Sequence, residues 1–141
     1  DIPHDFSILN SNLELLDLSY NLLSQLNVNL CRGFSNLKFL NLESNKIKDL
    51  SDKLRELNEL EYLNLSNNRL TSLSYEICFC LKKLKELNLS NNSIEKLPLF
   101  SLTRKYSTKN TTISASENKV KLESQNSKTN KISQSQSSPL D

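Results

Sequence analysis

The side chains that most often carry catalysis or bind metals are sparse in this chain and do not form a site. The chain has a single His, His4, and three Cys residues. Nucleophilic catalysis needs a base held beside the nucleophile, and the pattern gives His4 no such neighbour. Cys31, Cys78 and Cys80 with one His argue against a zinc site, and a chain whose only Gly is Gly33 has no Gly-rich phosphate loop. We therefore expect no enzymatic activity, no metal and no cofactor.

Binding chemistry is better represented than catalytic chemistry. Leu15, Phe39 and Tyr62 are apolar side chains that recur at intervals of 24 and 23 residues, and the acidic Asp17 and Glu43 follow shortly after two of them. Apolar side chains rimmed by polar ones are typical of surfaces that bind another protein. Whether these residues share one surface depends on the elements that position them.

Those elements follow from a spaced pattern that occurs four times. The copies are LELLDLSYNLL, LKFLNLESNKI, LEYLNLSNNRL and LKELNLSNNSI, which start at Leu13, Leu37, Leu60 and Leu84 and so repeat every 23 or 24 residues. In each copy two Leu residues are spaced by two positions, which places both on one face of a short strand. Strands joined by return segments of more than a dozen residues lie parallel, so the pattern predicts a curved parallel sheet.

The pattern Leu-x-x-Leu-x-Leu-x-x-Asn-x-(Leu/Ile) is similar to that of the leucine-rich repeat family, over roughly residues 1–100. The resemblance implies an α/β solenoid, with the sheet on its concave side and short helices or turns on its convex side. It also implies a stacked ladder of structural asparagines, whose amides satisfy backbone groups in the turns: Asn21, Asn45, Asn68 and Asn92. In repeat length and in the stretch LTSLSYEIC, the chain most resembles the intracellular Ras-group class.

The predicted organisation is a solenoid between two segments of different character. Residues 1–12 fit the second half of a truncated repeat, and residues 13–102 hold four repeats, 13–36, 37–59, 60–83 and 84–102. Residues 103–141 are rich in Ser, Thr, Asn and Lys and show no period. Such a composition cannot bury enough apolar surface to offset chain entropy, so we predict a disordered tail.

Positions that alternate with the buried Leu pair point to the free, concave side of the predicted sheet. Leu15, Phe39 and Tyr62 then form an apolar stripe across strands that lie about 4.8 Å apart. We predict partner contacts from these residues on the concave side: Leu15, Asp17, Phe39, Asn41, Glu43, Tyr62, Asn64, Glu86 and Asn88. Their carboxylates favour a protein partner with a basic or mixed surface and disfavour nucleic acid. The alternative is that the aromatic side chains only pack on one another across strands.

The function we expect is that of a non-enzymatic, cytoplasmic scaffold that binds a protein on the concave side. No apolar run approaches the roughly 18 residues of a membrane span, so we expect no membrane contact. The resemblance leaves two alternatives open. One is a regulatory subunit of a protein phosphatase or a targeting domain of a larger signalling enzyme. The other is a fragment of a cell-surface receptor ectodomain, whose Cys-rich caps would lie outside this chain.

Overall fold

The computed structural model describes residues 12–26, 34–50, 54–97 and 111–118. Within these ranges the elements are β1 (Leu15–Asp17), β2 (Phe39–Asn41), β3 (Tyr62–Asn64), α1 (Tyr75–Cys80), β4 (Glu86–Asn88) and β5 (Thr112–Ser114). The strands form one parallel sheet in chain order, from β1 to β5. The predicted solenoid is confirmed, because each repeat adds one strand beside the strand of the repeat before it.

The core lies behind the sheet and is built from the predicted Leu pairs. The middle residues of the first four strands are aligned in register: Leu16, Leu40, Leu63 and Leu87. All four are buried, and the second members of the later pairs, Leu42, Leu65 and Leu89, are fully buried. Leu16 is the most exposed of the four, at 9%. Each Leu therefore packs against the equivalent Leu of its neighbours, which is how repeats stabilise one another in a solenoid.

The return segments close the core from the other side. Leu54, Leu73 and Ile77 are buried, and Ile77 lies in α1. A tight turn precedes two of the strands, in which the backbone N–H of Leu57 donates to the carbonyl of Leu54 at 3.0 Å and that of Leu37 to Phe34 at 3.0 Å. The convex side therefore combines a short helix with turns, as the resemblance implied.

The structure corrects the predicted end of the solenoid. The prediction of a disordered tail from residue 103 is wrong for residues 111–118, because β5 pairs with β4 and aligns Ile113 with Leu87. Ile113 and Ala115 pack against the core, at the positions of the Leu pair. The pattern was missed because Asn110 stands where the repeat has its first Leu, and because the register sets Thr112 26 residues after Glu86.

Other predictions about the ends of the chain concern residues that the structure does not describe. The truncated repeat at residues 1–12 lies outside the described residues except for Asn12, and so does the rest of the predicted tail. Within the described ranges, no helix has the length and apolar character that a bilayer crossing requires.

Candidate functional site

The face of the sheet opposite the core is formed by the residues at the two ends of each strand. In β1 to β4 the middle residue is buried and its two neighbours are exposed or half-buried. This follows from the alternation of side chains along a strand. We call this surface the open face; it comprises the eight predicted partner-binding residues at the strand ends together with Glu43, which follows β2 by two positions: Leu15, Asp17, Phe39, Asn41, Glu43, Tyr62, Asn64, Glu86 and Asn88.

The apolar stripe runs across the first three strands of the open face. Leu15 aligns with Phe39, and Phe39 with Tyr62, while Glu86 follows on the next strand. Leu15 is 60% exposed, and both aromatic side chains are half-buried. The ring centroids of Phe39 and Tyr62 lie 6.3 Å apart at an interplanar angle of 40°. The stripe is therefore a continuous apolar surface that ends at a carboxylate.

A basic side chain borders the stripe at Tyr62. The Nζ atom of Lys85 lies 5.9 Å from the centroid of the Tyr62 ring, within the range of a cation–π contact. The same Nζ also donates to Oε2 of Glu61 at 2.5 Å. The hydrogen bond from Lys85 lowers the pKa of Glu61 below its ordinary value, and Glu61 raises the pKa of Lys85. Lys85 is therefore held at the edge of the stripe rather than over its centre.

The last residues of β1 to β4 form a polar row beside the stripe, and each of them makes a local hydrogen bond at the end of its strand. Oδ1 of Asn41 accepts the backbone N–H of Glu43 at 3.1 Å, and Oδ1 of Asn64 accepts that of Ser66 at 3.1 Å. Asp17 and Asn88 make the same bond two residues ahead. These are Asx turns, which only Asp and Asn side chains form readily. The Asp and Asn side chains of this row therefore have a structural role in addition to the predicted role in binding. The sequence analysis missed this structural role.

The Asx bond also acts on the charge of Asp17. Hydrogen bonds from Ser19 lower the pKa of the Asp17 carboxyl, with a smaller contribution from Asn41. Oδ2 of Asp17 accepts from Nδ2 of Asn41 at 3.2 Å. Asp17 is exposed and stays ionised well below neutral pH, so the open face keeps this negative charge.

Glu43 lies at the centre of a hydrogen-bonded network on the open face. Its Oε2 accepts from Nδ2 of Asn64 at 3.1 Å, and its Oε1 accepts from the Tyr20 hydroxyl at 3.3 Å and from Nδ2 of Asn67 at 3.4 Å. The three donors come from the repeats on either side of Glu43. Its carboxylate is therefore fixed in position by uncharged groups.

Pairs of opposite charge connect the repeats along the edge of the sheet at which the strands begin. Lys38 contacts Glu14 at 2.9 Å, while Lys83 contacts Glu59 at 2.5 Å. The hydrogen bond that Lys38 donates to Glu14 raises the pKa of Lys38. Together with the Glu61–Lys85 pair, these contacts join residues of adjacent repeats. Exposed pairs of this kind contribute little to stability, but they leave the three lysines matched by carboxylates.

The asparagine ladder runs along the other edge of the sheet. Oδ1 of Asn68 accepts the backbone N–H of Ile47 at 3.0 Å, and its Nδ2 donates to the carbonyl of Leu42 at 2.9 Å, both in the preceding repeat. Asn45 and Asn92 make equivalent bonds and are likewise buried. Asn21 is exposed, and its Nδ2 donates to the carbonyls of its own turn.

A match to a protein-family model identifies the repeated segment. Residues 36–94 match the family model described as Leucine rich repeat. The matched segment contains β2 to β4 with their asparagine rungs. These residues are therefore leucine-rich repeats. No curated protein matches this leucine-rich repeat chain by sequence.

Solved structures of leucine-rich repeat proteins share the fold. The chain is 34% identical to LIC12759, a leucine-rich repeat protein of Leptospira interrogans, with a TM-score of 0.74 over 86% of this chain and 30% of that one. It is 29% identical to a chain in the structure of the Toll–Spatzle complex of Drosophila, with a TM-score of 0.66 over 77% of this chain and 14% of that one. The leucine-rich repeat chain thus spans less than a third of either protein.

The structure also adds residues to the leucine-rich repeat features that the sequence predicted. Asn118 is a fifth rung, since its Nδ2 donates to the Leu89 carbonyl at 2.8 Å. Tyr20 and Asn67 contact Glu43 from the eighth position of their repeats, where the backbone is left-handed with φ of 54° and 56°. The sequence signal for Asn118 is the spacing Ile113-x-Ala115-x-x-Asn118. No signal in the pattern marked Tyr20, because its position in the repeat tolerates many residue types.

Proposed function

We propose that this leucine-rich repeat chain is a non-enzymatic module that binds a partner protein on its open face. The observation that carries the proposal is the apolar stripe of Leu15, Phe39 and Tyr62. Its members face away from the core, and Leu15 is 60% exposed. The core is complete without them, because the Leu pairs already fill it.

The stripe has the character of a binding surface in physical terms. Burying a fully exposed Leu contributes on the order of 1.5–3 kcal/mol, and a half-buried aromatic side chain contributes a part of that. Aromatic side chains at the centre of an interface carry much of the binding energy when polar groups surround them. Asp17, Asn41 and Glu86 provide such surroundings on the open face.

The comparisons support a protein as the partner. Leucine-rich repeats are typical of protein–protein interaction modules and are generally non-enzymatic, and one of the similar structures is that of the Toll–Spatzle complex. A solenoid also suits this role because it presents one extended surface built from successive repeats. His4, the single His of the chain, lies outside the described residues.

The test is a quantitative pull-down from an extract of the cells that express the protein. The bait is the wild-type chain or the Phe39→Ala/Tyr62→Ala double variant, after circular dichroism has shown that both are folded. Phe79→Ala is a matched control, because Phe79 is a 58% exposed aromatic residue of α1. We expect a protein that the wild type and Phe79→Ala retain and that the double variant loses. Equal capture by all three would reject the open face as the binding surface.

A fragment of a cell-surface receptor is the second candidate, because of the similarity to a chain in the Toll–Spatzle structure. For the leading proposal we place the module in the cytoplasm, which agrees with the free thiol of Cys80. Protease protection of the native protein in intact cells separates the two. A cytoplasmic module survives external protease, while a receptor ectodomain is digested.

A further inference from the structure

We propose that the partner presents a basic segment to the first three strands of the open face, with an apolar side chain on the stripe and a Lys or Arg side chain on the Glu43 carboxylate. This inference rests on the proposed function and specifies the chemistry of the partner. It is carried by the distribution of charge on the face and by the way in which Glu43 is held.

The open face is negatively charged. Among its predicted contact residues are three carboxylates, those of Asp17, Glu43 and Glu86, and there is no Lys or Arg. The lysines along the neighbouring edge, Lys38, Lys83 and Lys85, are each paired with a glutamate. The carboxylates of the face are therefore not neutralised from that edge. Complementary charge on a partner speeds its encounter with such a face and selects it over acidic partners.

Glu43 is the carboxylate best prepared to receive a cation. Its three hydrogen-bond donors are neutral amides and a hydroxyl, and in the described part of the chain no Lys or Arg forms an ion pair with it. A carboxylate offers about four acceptor positions, so one remains for an external donor. Because neighbouring repeats hold Glu43, it loses little side-chain entropy on binding.

The two halves of the sheet differ in the side chains on the open face, and this difference indicates where the partner segment binds. On β1 to β3 the face carries the apolar stripe together with Asp17 and Glu43. On the side of β5 it carries small uncharged residues, Thr112 and Ser114, and the intervening Ser90 is buried. The apolar stripe thus lies beside both Asp17 and Glu43 at the first three repeats, whereas Glu86 of β4 has an apolar neighbour, Tyr62, on one side and Thr112 on the other.

The test uses a phage-displayed library of random linear peptides selected on the immobilised full chain. Peptides enriched on the wild type are then measured by fluorescence anisotropy against Glu43→Gln, Phe39→Ala/Tyr62→Ala and Glu95→Gln. Glu95 is a matched control, because it is an exposed carboxylate in the segment that follows β4 and is not part of the open face. Circular dichroism shows beforehand that each variant is folded.

We expect enriched peptides that combine Lys or Arg with a large apolar residue. Their affinity should fall by about tenfold or more in Glu43→Gln, as for a hydrogen bond to a charged group, and be unchanged in Glu95→Gln. A charge exchange completes the test: Glu43→Lys should abolish binding, and replacing the basic residue of the peptide by Glu should restore it.

The other outcomes separate the two proposals. Peptides that lose affinity in Phe39→Ala/Tyr62→Ala but bind Glu43→Gln as well as wild type overturn the basic contact and leave the proposed function standing. Peptides that bind all variants equally, or a selection that enriches no peptide, overturn both proposals.

Discussion

Oδ1 of Asn118 accepts the backbone N–H of Ile94 at 3.0 Å. One repeat earlier, Oδ1 of Asn92 accepts the N–H of Leu70 at 3.0 Å in the same way. Each asparagine therefore satisfies backbone groups of the repeat before its own, and a repeat is complete only when the next one is present. The fifth repeat therefore contributes to the stability of the fourth, because neighbouring repeats share their stabilising contacts.

Replacing Asn118 tests whether the fifth repeat belongs to the folded unit. We expect Asn118→Ala to lower the free energy of unfolding by about 1–3 kcal/mol, because it leaves the N–H of Ile94 without its acceptor and removes one of the two hydrogen bonds to the Leu89 carbonyl. Urea denaturation followed by circular dichroism measures the change. Glu117→Gln, at the exposed neighbouring position, should unfold like the wild type. If Asn118→Ala does so too, the chain folds without its fifth repeat.

A rung in the middle of the ladder should be more sensitive. Asn68 is buried, and its side chain makes four hydrogen bonds, to Ile47, Leu42, Leu65 and Ser66. Asn68→Leu keeps the volume but leaves the buried N–H of Ile47 without its acceptor and removes the three donated bonds, so we expect a loss of about 1–3 kcal/mol or more in urea denaturation.

The control for this rung is Asn58→Leu, since Asn58 is exposed and its side chain donates a long bond, 3.4 Å, to the Glu56 carbonyl of its own turn. We expect it to change the free energy of unfolding by less than about 0.5 kcal/mol. Equal losses in the two variants would contradict a structural role for the ladder.

The sequence predicted the repeated part of this structure because the repeat constrains few residue types. Leu at strand centres and Asn at the turns are required by burial and by backbone pairing, so four repeats could be located from spacing alone. The fifth repeat escaped because Ile113 and Ala115 replace the Leu pair and the spacing increases. A smaller residue suffices at one of these positions, because Ala115 packs against the end of the described core and is only partly buried.

The open face was predicted in position but not in its internal bonding. Alternation along the strands placed Phe39 and Tyr62 side by side. The convergence of Tyr20 and Asn67 on Glu43 could not be predicted, because it depends on side-chain rotamers and on left-handed turn residues rather than on the repeat. Sequence spacing predicts which position of the repeat a residue occupies. The hydrogen bonds between side chains of neighbouring repeats can be found only from the three-dimensional structure.

The left-handed turn position gives a stabilising prediction. Ser44 has φ of 55°, a conformation that is unfavourable for most residues with a Cβ and that Asn tolerates, as at Asn67 and Asn91. We expect Ser44→Asn to raise the free energy of unfolding by about 0.5–1 kcal/mol, a part of the roughly 1–2 kcal/mol that the left-handed conformation costs most residues. Ser93→Asn is the control, because Ser93 is exposed and is outside the left-handed set. An equal effect of the two substitutions would show that the gain does not come from backbone strain.

The Glu61–Lys85 pair gives a prediction for pH. Lys85 lowers the pKa of Glu61 from its ordinary 4.5, so the pair's contribution to stability is present above that pH and is lost as the pH falls through the lowered value. Carboxyl chemical shifts in an NMR titration should show the midpoint of Glu61 below 4.5 in the wild type. We expect Lys85→Gln to move this midpoint upward. Lys48→Gln should leave the midpoint in place, because Lys48 is not in the ion pairs Glu14–Lys38, Glu59–Lys83 and Glu61–Lys85.

The last prediction separates packing from binding at the aromatic pair. Phe39 and Tyr62 are in contact, with centroids 6.3 Å apart, so a double-mutant cycle with Ala should give a coupling of about 0.5–1.5 kcal/mol in the free energy of unfolding. Leu15 and Tyr62 lie two strands apart, about 10 Å, and their Ala variants should be additive. Coupling without loss of the partner would favour cross-strand packing alone. Because a purely structural pair would not bind anything, loss of the partner in both folded single variants means that the same rings form the binding surface.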